Sequence, residues 1–284
     1  MNAVAGRQQG RVWLITGAGR GLGRAFTDAA VSDGARVIAT ARSDAALRDL
    51  SDRHGDAVLA LPLEVSDRAA VGDVVRAGLS RFGRIDVLVN NAGYGLAGGV
   101  EEITEAQIRR QMDVNFFGAL WCTQAVLPAM RAQRYGRIFQ ISSIGGVVAL
   151  PDTGGYCASK FALEGLSESL AQEVRGFGIR VTIIEPGPFR SDWNGTSMDR
   201  AEPLAAYDQV LATRREALSG AYAYTQPGDP AGAARALLTV VASDDPPLRL
   251  PLGAQAARAA SAACRRRLAE FEAWAELALA ADSA

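Results

Sequence analysis

The chain has 284 residues, 49% hydrophobic and 21% charged, enough apolar material to bury one large α/β domain or two small ones. A net charge of −1 and a pI near 6.0 leave no basic face for a phosphate backbone, so nucleic acid is not an expected partner. Three scattered cysteines, Cys122, Cys157 and Cys264, form no CxxC pair, which argues against a disulfide framework or a zinc site; a reducing cytoplasm fits and no metal is expected.

Taken in chain order, "MNAVAGRQQG" at the N-terminus lacks the apolar core of a signal peptide, and no later run approaches the ~20 apolar residues that span a bilayer, so no membrane contact is expected. Continuous Val/Ile-rich runs then recur: "VWLIT" from Val12, "RVIAT" from Arg36, "AVLALPL" from Ala57, "IDVLV" from Ile85, "RIFQIS" from Arg137 and "IRVTII" from Ile179. Runs without polar alternation predict strands buried on both faces, as in a parallel sheet. Between them lie segments of helical spacing such as "RAFTDAAVSDG" and the long stretch 105–133. Alternating strands and helices predict a doubly wound sheet in a single domain. The Ala-rich tail from Ala254 reads as an added helix; its charges count against a membrane anchor and leave a packing element or a subunit contact.

The first strand runs into "TGAGRGLG", residues 16–23, which opens a helix. Strand, glycine turn and helix N-terminus together make an anion site, because unpaired backbone N–H groups and the helix dipole face the same point. The spacing is TGxxxGxG, with Thr16, Gly17, Gly21 and Gly23, rather than GxGxxG. The second strand ends "IATARS", with Ala41 where an acidic residue would bond the ribose 2′-hydroxyl of NAD, then Arg42. Arg42, with Arg20 from the glycine loop, favours the 2′-phosphate of NADP; two solvated arginines in an Arg-rich chain are the plainer alternative. The missing acid also counts against an S-adenosylmethionine methyltransferase.

The 30 Lys plus Arg residues include a single lysine, Lys160, in "YCASK". Codon bias explains an Arg-rich chain, and one surviving Lys is then chance; the chemical reading is that a compact ammonium is needed where a wide guanidinium fork does not fit. On a helix Tyr156 and Lys160 share one face. A cation ~4 Å from the phenol favours phenolate by roughly 4 kcal/mol at an effective dielectric of ~20, on the order of three pK units, which would bring the tyrosine to about neutrality.

Together, "TGAGRGLG", "NNAG" (90–93), Asn115 in "DVNFFG", "SS" at 142–143, "YCASK" and "PGP" (186–188) resemble, in content and order over roughly residues 10–190, the short-chain dehydrogenases/reductases. The resemblance implies a Rossmann-like α/β fold, a seven-stranded parallel sheet in a three-layer α/β/α sandwich, with NAD(P)(H) and hydride transfer between alcohol and carbonyl. It implies a tetrad of Asn115, Ser143, Tyr156 and Lys160. The family's serine stands thirteen residues before the tyrosine, which selects Ser143 over Ser142. Cofactor contacts are expected from Gly17, Gly19, Arg20, Gly21, Leu22, Arg42, Glu64, Val65, Asn91, Ala92, Gly93, Tyr156, Lys160, Pro186, Gly187, Phe189 and Ser191. Glu64 stands where the family usually has Asp, and Ser191 replaces a frequent Thr. Cys157 reads as a small core residue.

The expected reaction is NADPH-dependent reduction of a ketone or aldehyde; oxidation of an alcohol with NADP, or a non-catalytic dinucleotide sensor of the same fold, are the alternatives. The one histidine, His54, falls in the polar "SDRHGD" and is expected to be solvated, which disfavours a serine hydrolase, as does the absence of a nucleophile elbow around "SSIGG". The expected domain is 8–253, with a substrate lid over about 188–226 carrying Trp193, Met198, Tyr207, Tyr222 and Tyr224, and a helical extension over 254–284. Those aromatics suit either a bulky apolar carbonyl compound or packing of the lid on its own domain. A homodimer or homotetramer is implied by the resemblance, through the helices holding Asn115 and Tyr156.

Overall fold

A computed structural model describes residues 10–191, 193, 195, 197–219 and 226–282. The six apolar runs all become strands: β1 (Val12–Ile15), β2 (Arg36–Ala41), β3 (Val58–Pro62), β4 (Val87–Asn90), β6 (Gly136–Ile141) and β7 (Ile179–Pro186). They pair in parallel with β9 (Arg249–Leu252) in a seven-stranded sheet ordered β3-β2-β1-β4-β6-β7-β9. The seventh strand, "RLPL", is short and carries Pro251, so no apolar run announces it; as an edge strand it tolerates the proline.

Strand side chains alternate between two cores. On one face, Trp13, Ile15 and Val37 pack against Phe26 of α1 (Gly21–Ser32), Leu50 of α2 (Asp44–His54) and Leu237 of α8 (Pro230–Val241). On the other, Leu14, Ile38 and Leu88 meet Val74 of α3 (Arg68–Phe82), Val126 of α5 (Gly118–Gln133) and Leu170 of α6 (Gly154–Val174). These are the expected three layers. The chain leaves β1 toward β2 and β3, then returns to place β4 on the other side of β1. That reversal opens a crevice at the carboxyl ends of β1 and β4, where the glycine loop and "NNAG" both emerge.

The helical stretch 105–133 is divided. Thr104 caps α4 (Glu105–Met112) reciprocally with Gln107, and α5 follows only after a π turn over Asp113–Phe117. Gly118, the first residue of α5, lies against Val65: a Cβ there would come 2.7 Å from Val65 Cγ2. Two short parallel strands, β5 (Gly95–Ala97) and β8 (Met198–Arg200), tie the segment after β7 to the loop after β4. That segment continues through α7 (Asp208–Ala217).

α9 (Ala254–Ala273) buries Ala256, Ala260 and Ala263 along its first turns, the latter two against Val147. Farther along, Leu268 and Phe271 of α9, Trp274, and Leu277 and Leu279 of α10 (Ala275–Leu279) are exposed. His54 departs from expectation: its Nε2 lies 2.7 Å from Asp28 Oδ1 and its side chain is only 11% exposed, because α2 folds it against α1.

Candidate active site

The glycine loop is shaped by main-chain demands. Gly17 and Gly21 have φ of 66° and 55°, the left-handed region that glycine adopts without strain. A Cβ on Gly23 would overlap the Gly17 carbonyl oxygen, so the first turn of α1 closes directly onto the loop. Asn91 Nδ2 donates to the carbonyls of Thr16 (2.9 Å) and Gly17 (3.1 Å), while Thr16 Oγ1 accepts from the backbone N–H groups of Asn91 and Ala92, both at 3.0 Å. Asn90 points into the core, donating to Thr123 Oγ1 and Gln140 Oε1. "NNAG" thus holds the loop in place. α2, α3, α4 and α8 each have a side-chain N-cap; α1, which opens at this loop, has none and carries no acid in its first turn. Its orphan N–H groups face the crevice.

A cleft of about 430 Å³ runs from this loop past the ends of β4, β6 and β7. Gly17, Arg20, Gly21 and Leu22 line one end, then Asn91, Ala92 and Gly93, with Pro186, Gly187, Phe189 and Ser191 opposite. Among the described residues that line it there is no Asp or Glu. Gly19, Arg42, Glu64 and Val65 do not line it. Gly19 packs on Ala46 and Ala41, where a Cβ would lie 2.9 and 3.2 Å from theirs. Val65 is buried against Gly118. Arg42 and Glu64 pair with each other at 3.6 Å on the surface, at the ends of β2 and β3.

Farther along the cleft, α6 brings Tyr156 and Lys160 to one face, both buried, as their spacing predicts. Ser143, at the end of β6, accepts a hydrogen bond from the Gly145 N–H at 3.0 Å and stands close enough to the Tyr156 phenol to act on its pKa. Lys160 Nζ donates to the Ile141 carbonyl at 2.8 Å and lies 6.0 Å from the centroid of the Tyr156 ring. Asn115, carried into the site by the π turn, is held by three bonds: Nδ2 donates to the Tyr94 carbonyl (3.0 Å) and Ser159 Oγ (3.1 Å), and Oδ1 accepts from the Tyr94 N–H (3.1 Å). Gly93 sits between the two polar groups: its absent Cβ would fall 3.0 Å from Asn115 Oδ1 and 3.6 Å from Lys160 Nζ.

The electrostatics correct one expectation. Burial pushes the Tyr156 phenol up from its ordinary range, with the Ser143 hydrogen bond opposing, rather than the lysine drawing it down. The same burial brings Lys160 down to about 8, with nearby Glu164 opposing. At neutral pH the pair is therefore phenol and ammonium. The ammonium is bonded to a backbone carbonyl, and desolvation is the larger influence on the phenol.

The outer wall of the cleft comes from segments without a motif. Trp193 meets the Tyr156 ring edge-on at 5.2 Å, and Leu150, Thr153, Cys157, Arg214 and Leu218 complete the surface. Of the expected lid residues, Met198 is buried in β8 beside Ala97, and the Tyr207 hydroxyl donates to Glu101 at 2.7 Å. Tyr222 and Tyr224 lie outside the described residues. Cys157 is buried, as expected of a small core residue, and also borders the cleft. Arg214 and Leu150 gave no sequence signal, because nothing in their local spacing ties them to the tyrosine.

Residues 11–202 match the family described as short chain dehydrogenase. The oxidoreductase BOA17 of Botryotinia fuckeliana is 39% identical over 271 residues, covering 95% of this chain and 98% of that protein. A crystal structure of a short-chain dehydrogenase from Streptomyces avermitilis superposes with a TM-score of 0.90 at 40% identity, covering 96% of this chain and 99% of that one. A short-chain dehydrogenase/reductase of Burkholderia phymatum, solved in complex with NAD, superposes with a TM-score of 0.80 at 25% identity over 94% of this chain and 95% of its own. With its sheet order, its cleft and its relatives in agreement, the chain belongs to the short-chain dehydrogenase/reductase family of oxidoreductases.

Proposed function

We propose that this protein is an NADP(H)-dependent reductase that converts a ketone or aldehyde to an alcohol. The observation that carries the reading is the buried Tyr156–Lys160 pair with Ser143 beside it, in a cleft with a glycine-shaped anion cradle and no lining acid among the described residues. The cradle fits a dinucleotide: the pyrophosphate would rest on the N–H groups of residues 17–22, and Asn91, Ala92, Gly93, Pro186, Gly187, Phe189 and Ser191 would border the rest. When bound, the nicotinamide supplies the hydride.

Ser143 would donate a hydrogen bond to the substrate oxygen and stabilise the charge that develops there. Tyr156 would then give its proton to that oxygen. Burial keeps the phenol protonated at neutral pH, the state from which reduction starts. Lys160, charged below about pH 8, would stabilise the phenolate left behind, and Asn115, fixed by its three bonds beside Gly93, would hold the relay that returns the proton. NADP preference is supported by Ala41 and Arg42 at the end of β2 and by Arg20 in the cleft. The Arg42–Glu64 pair is exposed and worth at most about 1 kcal/mol, so a 2′-phosphate would displace Glu64 readily.

A domain over 8–253 would carry the reaction, with 254–284 as an added helical element. The exposed stripe Leu268, Phe271, Trp274 and Leu277 supports assembly into a homodimer or homotetramer. No helix among the described residues is long and apolar enough to cross a membrane, which is compatible with a cytoplasmic enzyme. The test is NADPH oxidation over a panel of ketones and aldehydes with wild type and Tyr156→Phe. Turnover in the wild type that falls by about 10³-fold or more in the variant is expected; cofactor binding without turnover in either would favour a dinucleotide sensor instead.

A further inference from the structure

Two adjacent arginines of α7 have opposite environments. Arg215 is neutralised: it reaches Glu102 at 2.5 Å, Asp208 at 3.0 Å and Asp152 at 3.5 Å. Arg214 borders the cleft and is only partly exposed, and its Nε donates to the Pro151 carbonyl at 3.3 Å. Among the described residues no carboxylate lies within ion-pair distance of it, and no Asp or Glu lines the cleft. Burial lowers its pKa, with the charge of Asp152, which pairs with Arg215, opposing from farther off.

Its position fixes which part of the cleft it serves. Pro151, to which it is tied, lies a few residues before Tyr156 on the approach to α6, and the same wall holds Leu150, Trp193 and Leu218. Arg214 therefore stands on the substrate side of the phenol, away from the glycine loop. A partly desolvated guanidinium whose Nε is taken by a backbone carbonyl, on a wall shared with Leu150, Trp193 and Leu218, is matched by a planar anion that takes charge-assisted hydrogen bonds from the fork. We infer that the cleft selects a keto acid: Arg214 binds a carboxylate on the substrate, and an apolar segment lying against Trp193 and Leu218 separates it from the reacting carbonyl. This deepens the reductase reading and rests on it.

The test uses the full chain with saturating NADPH and matched probes: 4-oxo-4-phenylbutanoate and 6-oxo-6-phenylhexanoate, each against its methyl ester. Turnover is measured for wild type, Arg214→Gln and Arg214→Lys, and binding to the protein–NADPH complex is measured separately by calorimetry. In the wild type at least one acid is expected to exceed its ester by about 30-fold in kcat/KM, expressed mainly in KM, as befits a charge-assisted bond. Arg214→Gln should bring the ratio to within about threefold of one, and Arg214→Lys should keep part of the preference, since it retains the charge but not the fork. A purely structural Arg214 would lower acid and ester alike. If the Gln variant does not fold, a partial loss of the ratio in the Lys variant decides the point.

Equal use of acid and ester by the wild type, or a preference that survives Arg214→Gln, overturns the inference while leaving a reductase. Arg214-dependent binding of the acid with no turnover of any probe supports it and overturns the reductase reading. Failure of every acid to bind overturns it.

Discussion

The two walls of the cleft are built from different materials. The inner wall is main chain: the Gly17–Gly23 loop, the ends of β4 and β7, and the N–H groups at the start of α1, locked by Asn91 and Thr16. The outer wall is side chain: Trp193, Leu150, Arg214 and Leu218, from segments brought together by the β5–β8 pairing and by α7. A wall of backbone tolerates almost no variation, because one added methyl group meets a carbonyl. A wall of side chains changes its ligand with each residue and leaves the fold alone. Between them stands the Ser143–Tyr156–Lys160 array, on β6 and α6, anchored to the sheet.

Lys160→Arg tests the array most severely. The ammonium is buried against the Ile141 carbonyl with Glu164 one turn away, and a planar guanidinium cannot place a compact charge at the same point. Reductase kcat is expected to fall by about 10³-fold, measured with saturating NADPH. Gly23→Ala comes next and asks whether the inner wall is as unforgiving as its geometry. The new Cβ would overlap the Gly17 oxygen, so NADPH affinity should drop by about 100-fold and the melting temperature should fall. Retention of full cofactor affinity would show that the loop yields, and would blur the contrast between the walls.

Arg42→Ala probes the one part of the proposed dinucleotide site that is exposed side chain. Dissociation constants by fluorescence titration should rise about tenfold or more for NADPH and by less than about threefold for NADH. Equal changes for both would remove the NADP assignment. The smallest effect is in pH. Lys160 is lowered to about 8, so its ammonium is present below that value and lost above it. Reductive kcat should therefore decline through pH 8 to 9, tending toward tenfold per unit, and this limb should vanish in Lys160→Met.

The motifs were legible because their demands are local. A positive φ at Gly17 and Gly21, and a shared helix face for Tyr156 and Lys160, follow from backbone geometry within a few residues. Six strands were legible from continuous apolar runs, since both faces of the sheet are covered. The seventh was not, because an edge strand closing a sheet needs few apolar residues. The π turn at Asn115 also escaped. It exists to satisfy bonds with Tyr94 and Ser159, the latter on another helix, and periodicity along 105–133 contains no trace of them.

The amino-acid order alone determined the α/β class, the parallel sheet, the glycine cradle and the tyrosine–lysine pair, because each depends on chain stereochemistry or on burial that every neighbour shares. The assembled molecule decided what depends on distance through space. It buried the phenol of Tyr156 and so raised its pKa, placed Arg42 beside Glu64, covered His54, and left Arg214 bordering the cleft with no ion pair among the described residues while Arg215 beside it has three. Desolvation and charge pairing are set by atoms from remote parts of the chain, and adjacency in sequence carries no record of them.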